Sequence, residues 1–174
     1  MNQSVILLLG SNRGDREKNL LAACAGIQQV IGQVLRISSV YETEPWGFED
    51  NISFYNQALE VETSLSPSEI LDGINDIEKN LGRMREVASC GPDCGCASGS
   101  YAPRTIDIDI LFYGSRIIFT EELMIPHPRL HERRFTLVPL DEIAPGFVHP
   151  VYKKVVSVLL SECTDTCEVK RIRP

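Results

Sequence analysis

The stretch RTIDIDILFYG, Arg104 to Gly114, constrains this chain more than any other. Ile106, Ile108 and Ile110 alternate with Asp107 and Asp109, the period of two that marks a β-strand with one buried face. Both carboxylates therefore share the other face. Aspartate is depleted in strands, and like charges side by side repel, so the pattern is destabilising unless something positive lies between them. A divalent cation meets that need. A solvated strand face would also carry two aspartates, so the neighbours decide. Arg83, Arg85 and Arg104 lie just upstream, and His127, Arg129, Arg133 and Arg134 just downstream, in a chain of net charge -7 and pI near 5.0. Two hard oxygen ligands among arginines suit Mg²⁺ and a polyphosphate, because guanidinium forks neutralise the phosphate charge that the metal leaves over. No glycine-rich P-loop is present to do that work instead.

The acidic balance argues against a general nucleic-acid or anionic-membrane binder. The apolar run Val5–Leu9 lacks a basic flank and is too short for a signal peptide or a membrane span, which leads to the expectation of a soluble cytoplasmic protein. At 174 residues and 43% hydrophobic content, a single domain with its own core is expected over 1–174. The six cysteines are expected to be reduced thiols in that compartment. Cys90, Cys94 and Cys96 sit in the Gly/Ser-rich run SCGPDCGCASGS, which reads as a loop insertion over about 86–100. Three close thiols are one short of a closed tetrahedral zinc site, so structural zinc and an idle, flexible insertion both stay open.

Along the chain, Val5–Leu9 reads as a buried strand ending in the turn residues Gly10-Ser11-Asn12. Asp15 can cap a helix whose apolar stripe is Leu20, Cys24, Ile27 and Ile31, with Gly32 as its stop. Two strand-like runs follow, Val34–Tyr41 and Phe54–Thr63, separated by a segment broken at Pro45 and Gly47. Ser66-Pro67-Ser68-Glu69 opens a second helix through a capping box with proline in first helical position; Ile70, Ile74, Ile77 and Leu81 form its buried stripe. After the Asp-bearing strand, a turn at Gly114-Ser115 allows a return strand through Ile117–Phe119. Phe135–Ile143 and Val155–Leu160 fit short helices. The order βαββαβ, with two helices over one face of an antiparallel sheet, predicts an α+β, ferredoxin-like sandwich with extra C-terminal elements.

On the strand Phe54-Tyr55-Asn56, positions 54 and 56 share a face. Phe54 can stack on a flat ring, and Asn56 offers a donor and an acceptor to the amide-like edge of a heterocycle. One core aromatic beside a strand-end polar residue would look the same.

Across nearly its whole length the chain resembles the 6-hydroxymethyl-7,8-dihydropterin pyrophosphokinases of folate biosynthesis. LLLGSN, YETEPWG, FYNQALEVETSLSP, IEKNLGRMR, APRTIDIDILFYG and IPHPRLHERRFTLVPLDEIAP occur in that family's order, the last two being the most specific. The resemblance implies Mg²⁺-dependent transfer of pyrophosphate from ATP to the hydroxymethyl oxygen of the pterin, leaving AMP, with two Mg²⁺ ions. It implies Asp107 and Asp109 as metal ligands and Arg83 and Arg104 as catalytic arginines. Thr43, Pro45, Trp46, Phe54, Asn56 and Phe135 are implied as the pterin site, the two phenylalanines sandwiching the ring. Asn75, Glu78, Arg85, Tyr101, Ile110, His127 and Arg133 are implied toward ATP, with Asn75 and Glu78 on the polar side of the second helix.

The chain also departs from the family pattern. The segment between Arg85 and Arg104 is longer and carries the three cysteines. Tyr101 stands where many members have Trp, and Glu122 and Met124 stand where some members use Arg and Thr toward ATP. The expected partners are therefore ATP and the pterin, with no nucleic acid, no membrane and a monomeric state. Two other readings compete: a metal-dependent nucleotidyl- or glycosyltransferase, which leaves Phe54, Asn56 and Phe135 unexplained, and a non-catalytic binding module with the Cys loop as metal sensor.

Overall fold

The structure is a computed structural model that describes residues 2–44, 52–82 and 105–173. Among the described residues, eight strands and four helices follow in the order β1 (Gln3–Ser11), α1 (Arg16–Val30), β2 (Gln33–Ile37), β3 (Val40–Thr43), β4 (Phe54–Thr63), α2 (Pro67–Asn80), β5 (Asp107–Tyr113), β6 (Ile118–Phe119), β7 (Met124–Ile125), α3 (Arg134–Ile143), α4 (Val156–Glu162) and β8 (Val169–Arg173), with a 3₁₀ turn at Leu130–Glu132. The main sheet is antiparallel and runs β5-β1-β4-β3-β8, with β2 also paired to β4. This is the expected α+β, ferredoxin-like sandwich, with its second strand broken in two. The predicted strand Val34–Tyr41 breaks at Ser38-Ser39, where the Ser38 hydroxyl accepts the Ala58 N–H at 2.9 Å and Ser39 binds the Glu142 carboxylate through its N–H and hydroxyl at 2.8 and 2.7 Å.

Local chemistry explains the helices. The Asp15 carboxylate accepts the Lys18 N–H at the start of α1. Ser66 and Glu69 form the reciprocal capping box of α2 behind Pro67. Gly32 has a reason beyond stopping a helix: a Cβ there would sit 2.2 Å from the Glu62 carbonyl oxygen, so only glycine lets the chain pass this close to β4.

Both faces of the sheet are buried. Val5, Leu7, Leu9, Leu59, Val61, Ile108 and Ile110 pack beneath α1 and α2, joined by Leu20, Ile27, Ile70, Ile74 and Ile77. Ile6, Leu8, Ala58 and Phe112 form the other face, covered by Leu137, Leu140 and Ile143 of α3 and Val156 and Leu159 of α4. The sequence reading covered only the first face. A register shift between Ile6 and Leu7 skips Leu111, which reverses the alternation of β5 so that Phe112 joins the second face and Tyr113 the first. The predicted return strand exists as β6, yet it pairs with β7 in a separate two-stranded ribbon and not with the main sheet. Among the described residues, no helix is long and apolar enough to cross a membrane.

Candidate active site

On its second face the sheet turns from apolar to polar toward one end. Register places Asn56 of β4 opposite Gly10 of β1, and Gly10 opposite Asp107 of β5; Ala58, Leu8 and Asp109 form the next row. Asn56 and Asp107 are therefore two strand spacings apart, about 10 Å, across a glycine with no side chain. A Cβ on Gly10 would lie 3.4 Å from Asn56 Oδ1 and 3.9 Å from Phe54 Cδ1, so its absence leaves a bare strip of floor between the two polar groups. Gly10 went unrecognised in the sequence as part of a site. The run Gly-Ser-Asn reads as a turn, and only the pairing shows what lies on either side.

At one end of that strip, Asn56 is 2% exposed and its Nδ2 donates to Thr43 Oγ1 at 2.8 Å. That bond fixes the amide's orientation and leaves its Oδ1 over the Gly10 floor. Phe54 is half-buried on the same face, and Phe135, also half-buried, comes from the first turn of α3, which lies over that face. Thr43, Phe54 and Asn56 lie together on β3 and β4, and Phe135 packs with α3 against the core of the same face, while Pro45 and Trp46 lie outside the described residues. Arg16, which the sequence reading missed, braces this end. Its Nη1 donates to the Ser53 carbonyl and hydroxyl, each at 2.8 Å, and to Glu42 at 3.2 Å, and its guanidinium lies 3.7 Å from the Tyr55 ring centre.

At the other end, Asp107 and Asp109 open into a cleft of about 320 Å³. α2 lines it with Leu71, Ile74 and Glu78, β5 with Asp107 to Ile110, and Leu123, Met124, His127 and Pro128 close it. One side is apolar and suits a flat base; the other is polar and suits phosphates. A second hollow, bounded by Arg134, Val138 and the segment 163–169, contains none of the predicted site residues.

Glu78 lines the cleft but also has a structural partner: it is 1% exposed, and its Oε1 accepts the Ile108 N–H at 2.9 Å. The i+3 stripe with Asn75 does not reveal this, because the partner comes from a strand thirty residues away. Asn75 is half-buried, with its Oδ1 enclosed and without a hydrogen-bond partner. Arg133 is buried at the N-cap of α3, its guanidinium 5.7 Å from the Phe135 ring centre. Arg83, Arg85, Tyr101 and Arg104, like Cys90, Cys94 and Cys96, lie outside the described residues; Cys24, Cys163 and Cys167 are free thiols.

His127 is held neutral. Burial away from water, reinforced by the Arg133 charge and only partly opposed by Asp107, pushes its pKa down to about 4. Its Nδ1 accepts the Arg129 N–H at 3.3 Å, so the ring proton sits on Nε2, which can donate to a phosphate oxygen. Burial also lowers His149 to about 4, and its Nδ1 accepts the Val151 and Tyr152 N–H groups at 3.2 and 3.3 Å. Both histidines bind fewer protons folded than unfolded between pH 4 and their ordinary 6.5. Stability should therefore rise with pH through that window and level off above it. Urea titrations at stepped pH test this, with His149→Gln expected to flatten part of the slope.

Sequence comparison agrees with this geometry. Residues 6–145 match the profile of the 7,8-dihydro-6-hydroxymethylpterin-pyrophosphokinase (HPPK) family. The chain belongs to that family. A 2-amino-4-hydroxy-6-hydroxymethyldihydropteridine pyrophosphokinase of Bacillus subtilis (strain 168) is 45% identical over 144 residues, 82% of this chain and 79% of its own length. The pyrophosphokinase of the same description from Aquifex aeolicus is 39% identical over 161 residues, 92% of each chain. The Folic acid synthesis protein fol1 of Pneumocystis carinii is 39% identical over 99% of this chain, which spans only 22% of that protein. Among solved structures, wild-type Plasmodium falciparum HPPK-DHPS with pteroate superposes with a TM-score of 0.71 at 18% identity, covering 93% of this chain and 42% of that one, a likeness of fold.

Proposed function

We propose that this pterin pyrophosphokinase uses the Asn56–Gly10–Asp107 row as the axis of its reaction. The hydroxymethyl oxygen of 6-hydroxymethyl-7,8-dihydropterin attacks the β-phosphorus of ATP, the bond from that phosphorus to the α-phosphate oxygen breaks, AMP leaves, and the hydroxyl proton is lost. The observation that carries this reading is the bare floor at Gly10. On either side of it an amide and a pair of carboxylates share one face, about two strand spacings apart, a span suited to a bicyclic ring whose side-chain oxygen must reach a phosphate.

Asp107 and Asp109 would hold Mg²⁺, and their chemistry fits that ion. Both are hard oxygen donors on one face of β5, and among the described residues no group of three His, Cys, Asp or Glu side chains could cage a metal. Mg²⁺ near phosphates is bound in that way, by one or two carboxylates with substrate oxygens and water completing its shell. Bound there, Mg²⁺ neutralises phosphate charge and polarises the phosphoryl oxygens.

The chain's own residues do the rest. Phe54 and Phe135 sandwich the pterin, while Thr43 and Asn56, with backbone near Pro45 and Trp46, read its edge. Leu71, Ile74, Ile110 and Met124 seat the base, with Asn75 nearby. His127 donates from Nε2, and Arg133 lends charge. Arg83 and Arg104 act as catalytic arginines, and Arg85 and Tyr101 contact ATP, by resemblance to the family. Catalysis is positioning plus charge neutralisation, with no covalent intermediate. Asn56, Gly10 and the two aspartates share one sheet face, and the base seat continues around the edge strand β5 toward α2, so one copy of the chain carries both half-sites. The test is AMP formation from ATP by the purified protein. AMP should appear only when both the pterin and Mg²⁺ are present; formation without the pterin would overturn the assignment.

A further inference from the structure

β5 is the edge strand of the sheet, and an edge strand has a ladder on one side only. β1 supplies that ladder, with Gly10 opposite Asp107 and Leu8 opposite Asp109. Beside the two aspartates the strand is held by a side chain: the buried Glu78 carboxylate of α2 accepts the N–H of Ile108, the residue between them, at 2.9 Å, while farther along β5 the Leu111 carbonyl accepts the His127 N–H at 3.1 Å.

A second hold lies three residues upstream. The Thr105 carbonyl accepts the buried Ser11 hydroxyl at 2.6 Å and Asn19 Nδ2 at 3.0 Å. The same Asn19 nitrogen donates to the Arg13 carbonyl at 2.8 Å, which ties the β1–α1 turn to the entry of β5. The three side chains come from β1, α1 and α2, and each grips backbone within 105–108.

We propose that Ser11, Asn19 and Glu78 are positioning residues that clamp the backbone of β5 and so set where Asp107 and Asp109 present their carboxylates to a divalent cation and its polyphosphate. The proposal rests on the reading of those aspartates as Mg²⁺ ligands. Among the described residues no group of three carboxylate, histidine or thiol side chains could cage a metal, so the position in which the strand presents the two aspartates matters directly to the cation. Mg²⁺ demands near-ideal octahedral geometry, so a small strand displacement is felt directly. Ser11 and Asn19 hold the strand entry from the side of α1, and Glu78 holds it from the wall of the cleft that α2 supplies.

Asn19→Leu, close in volume but without donors, and Ser11→Ala are the test variants. Each is titrated with Mg²⁺ in the presence of an ATP analogue carrying a methylene bridge between its α- and β-phosphorus, with binding followed by calorimetry in the absence of turnover. The Mg²⁺ concentration for half-maximal analogue binding should rise about tenfold, the scale on which outer-shell partners of a metal site act. The KM for the pterin should stay in place while kcat falls. A lower melting temperature or active fraction with an unmoved Mg²⁺ midpoint would overturn the proposal, since that is what a purely structural knot would give. If Asn19→Leu does not fold, Ser11→Ala decides by the same readout. Asp107→Asn is run alongside: an unchanged Mg²⁺ dependence in that variant would sink the metal reading itself, a failure separate from that of the clamp.

Discussion

Asp107→Ala and Asp109→Ala are each expected to abolish diphosphate transfer while the protein stays folded. Both residues are half-buried and line the cleft together, and neither belongs to the apolar core, so removing one carboxylate leaves the packing of the sheet in place. The fold draws instead on Ile106, Ile108 and Ile110, which are buried on the opposite face. Function has no such reserve. Among the described residues no third ligand could take over the cation, and the charge that builds on the transferring phosphoryl oxygens would lose its main counterweight. Turnover should fall by about a thousandfold or more, the upper end of what removing one preorganised electrostatic partner does. AMP release measured beside a thermal melt separates the two effects. Wild-type turnover in either variant would refute the metal assignment; a collapsed melting temperature would mean that the carboxylates support the fold.

Much of this arrangement was legible because it is local. The capping box at Ser66, the Asp15 cap and the alternation in β5 are written in neighbouring residues, and the structure follows each of them. What escaped depends on partners distant in sequence. β8 has the sequence VKRIR, with little apolar periodicity, and is a strand because Val40–Thr43 offers it a ladder. α3 begins where the Asp165 carboxylate accepts the Arg134 N–H at 2.9 Å, a cap that arrives from thirty-one residues downstream. Glu78 carries the same lesson at the site. A carboxylate on a helix reads as solvent-facing until the strand edge that uses it is in place. The doubly covered sheet was missed because the residues of β1 alternate between faces that are both apolar, so no polar face marks either side as exposed.

Filling the floor between the two half-sites should separate them. Gly10→Leu is expected to eliminate measurable pterin binding and leave nucleotide binding in the cleft largely intact. A Cβ at this position already stands 3.4 Å from Asn56 Oδ1, a contact its neighbours can absorb, so the backbone has room for a side chain. The remaining carbons of leucine would then rise over the strip between Asn56 and Asp107, where the ring must lie. Phe54→Ala removes one wall and leaves that space open, so its effect should be smaller, about 1–3 kcal/mol of pterin affinity, as for other flat rings stacked on aromatic side chains. Calorimetry with the pterin and with the ATP analogue, run separately on both variants, reads the difference. Leucine should be the more damaging change for the pterin, an order that a general weakening of the core would reverse, because losing a half-buried phenylalanine leaves the larger cavity. Equal loss of both ligands in Gly10→Leu would mean that the bare strip is packing space and not a binding floor, and the axis from Asn56 to Asp107 would have to be abandoned.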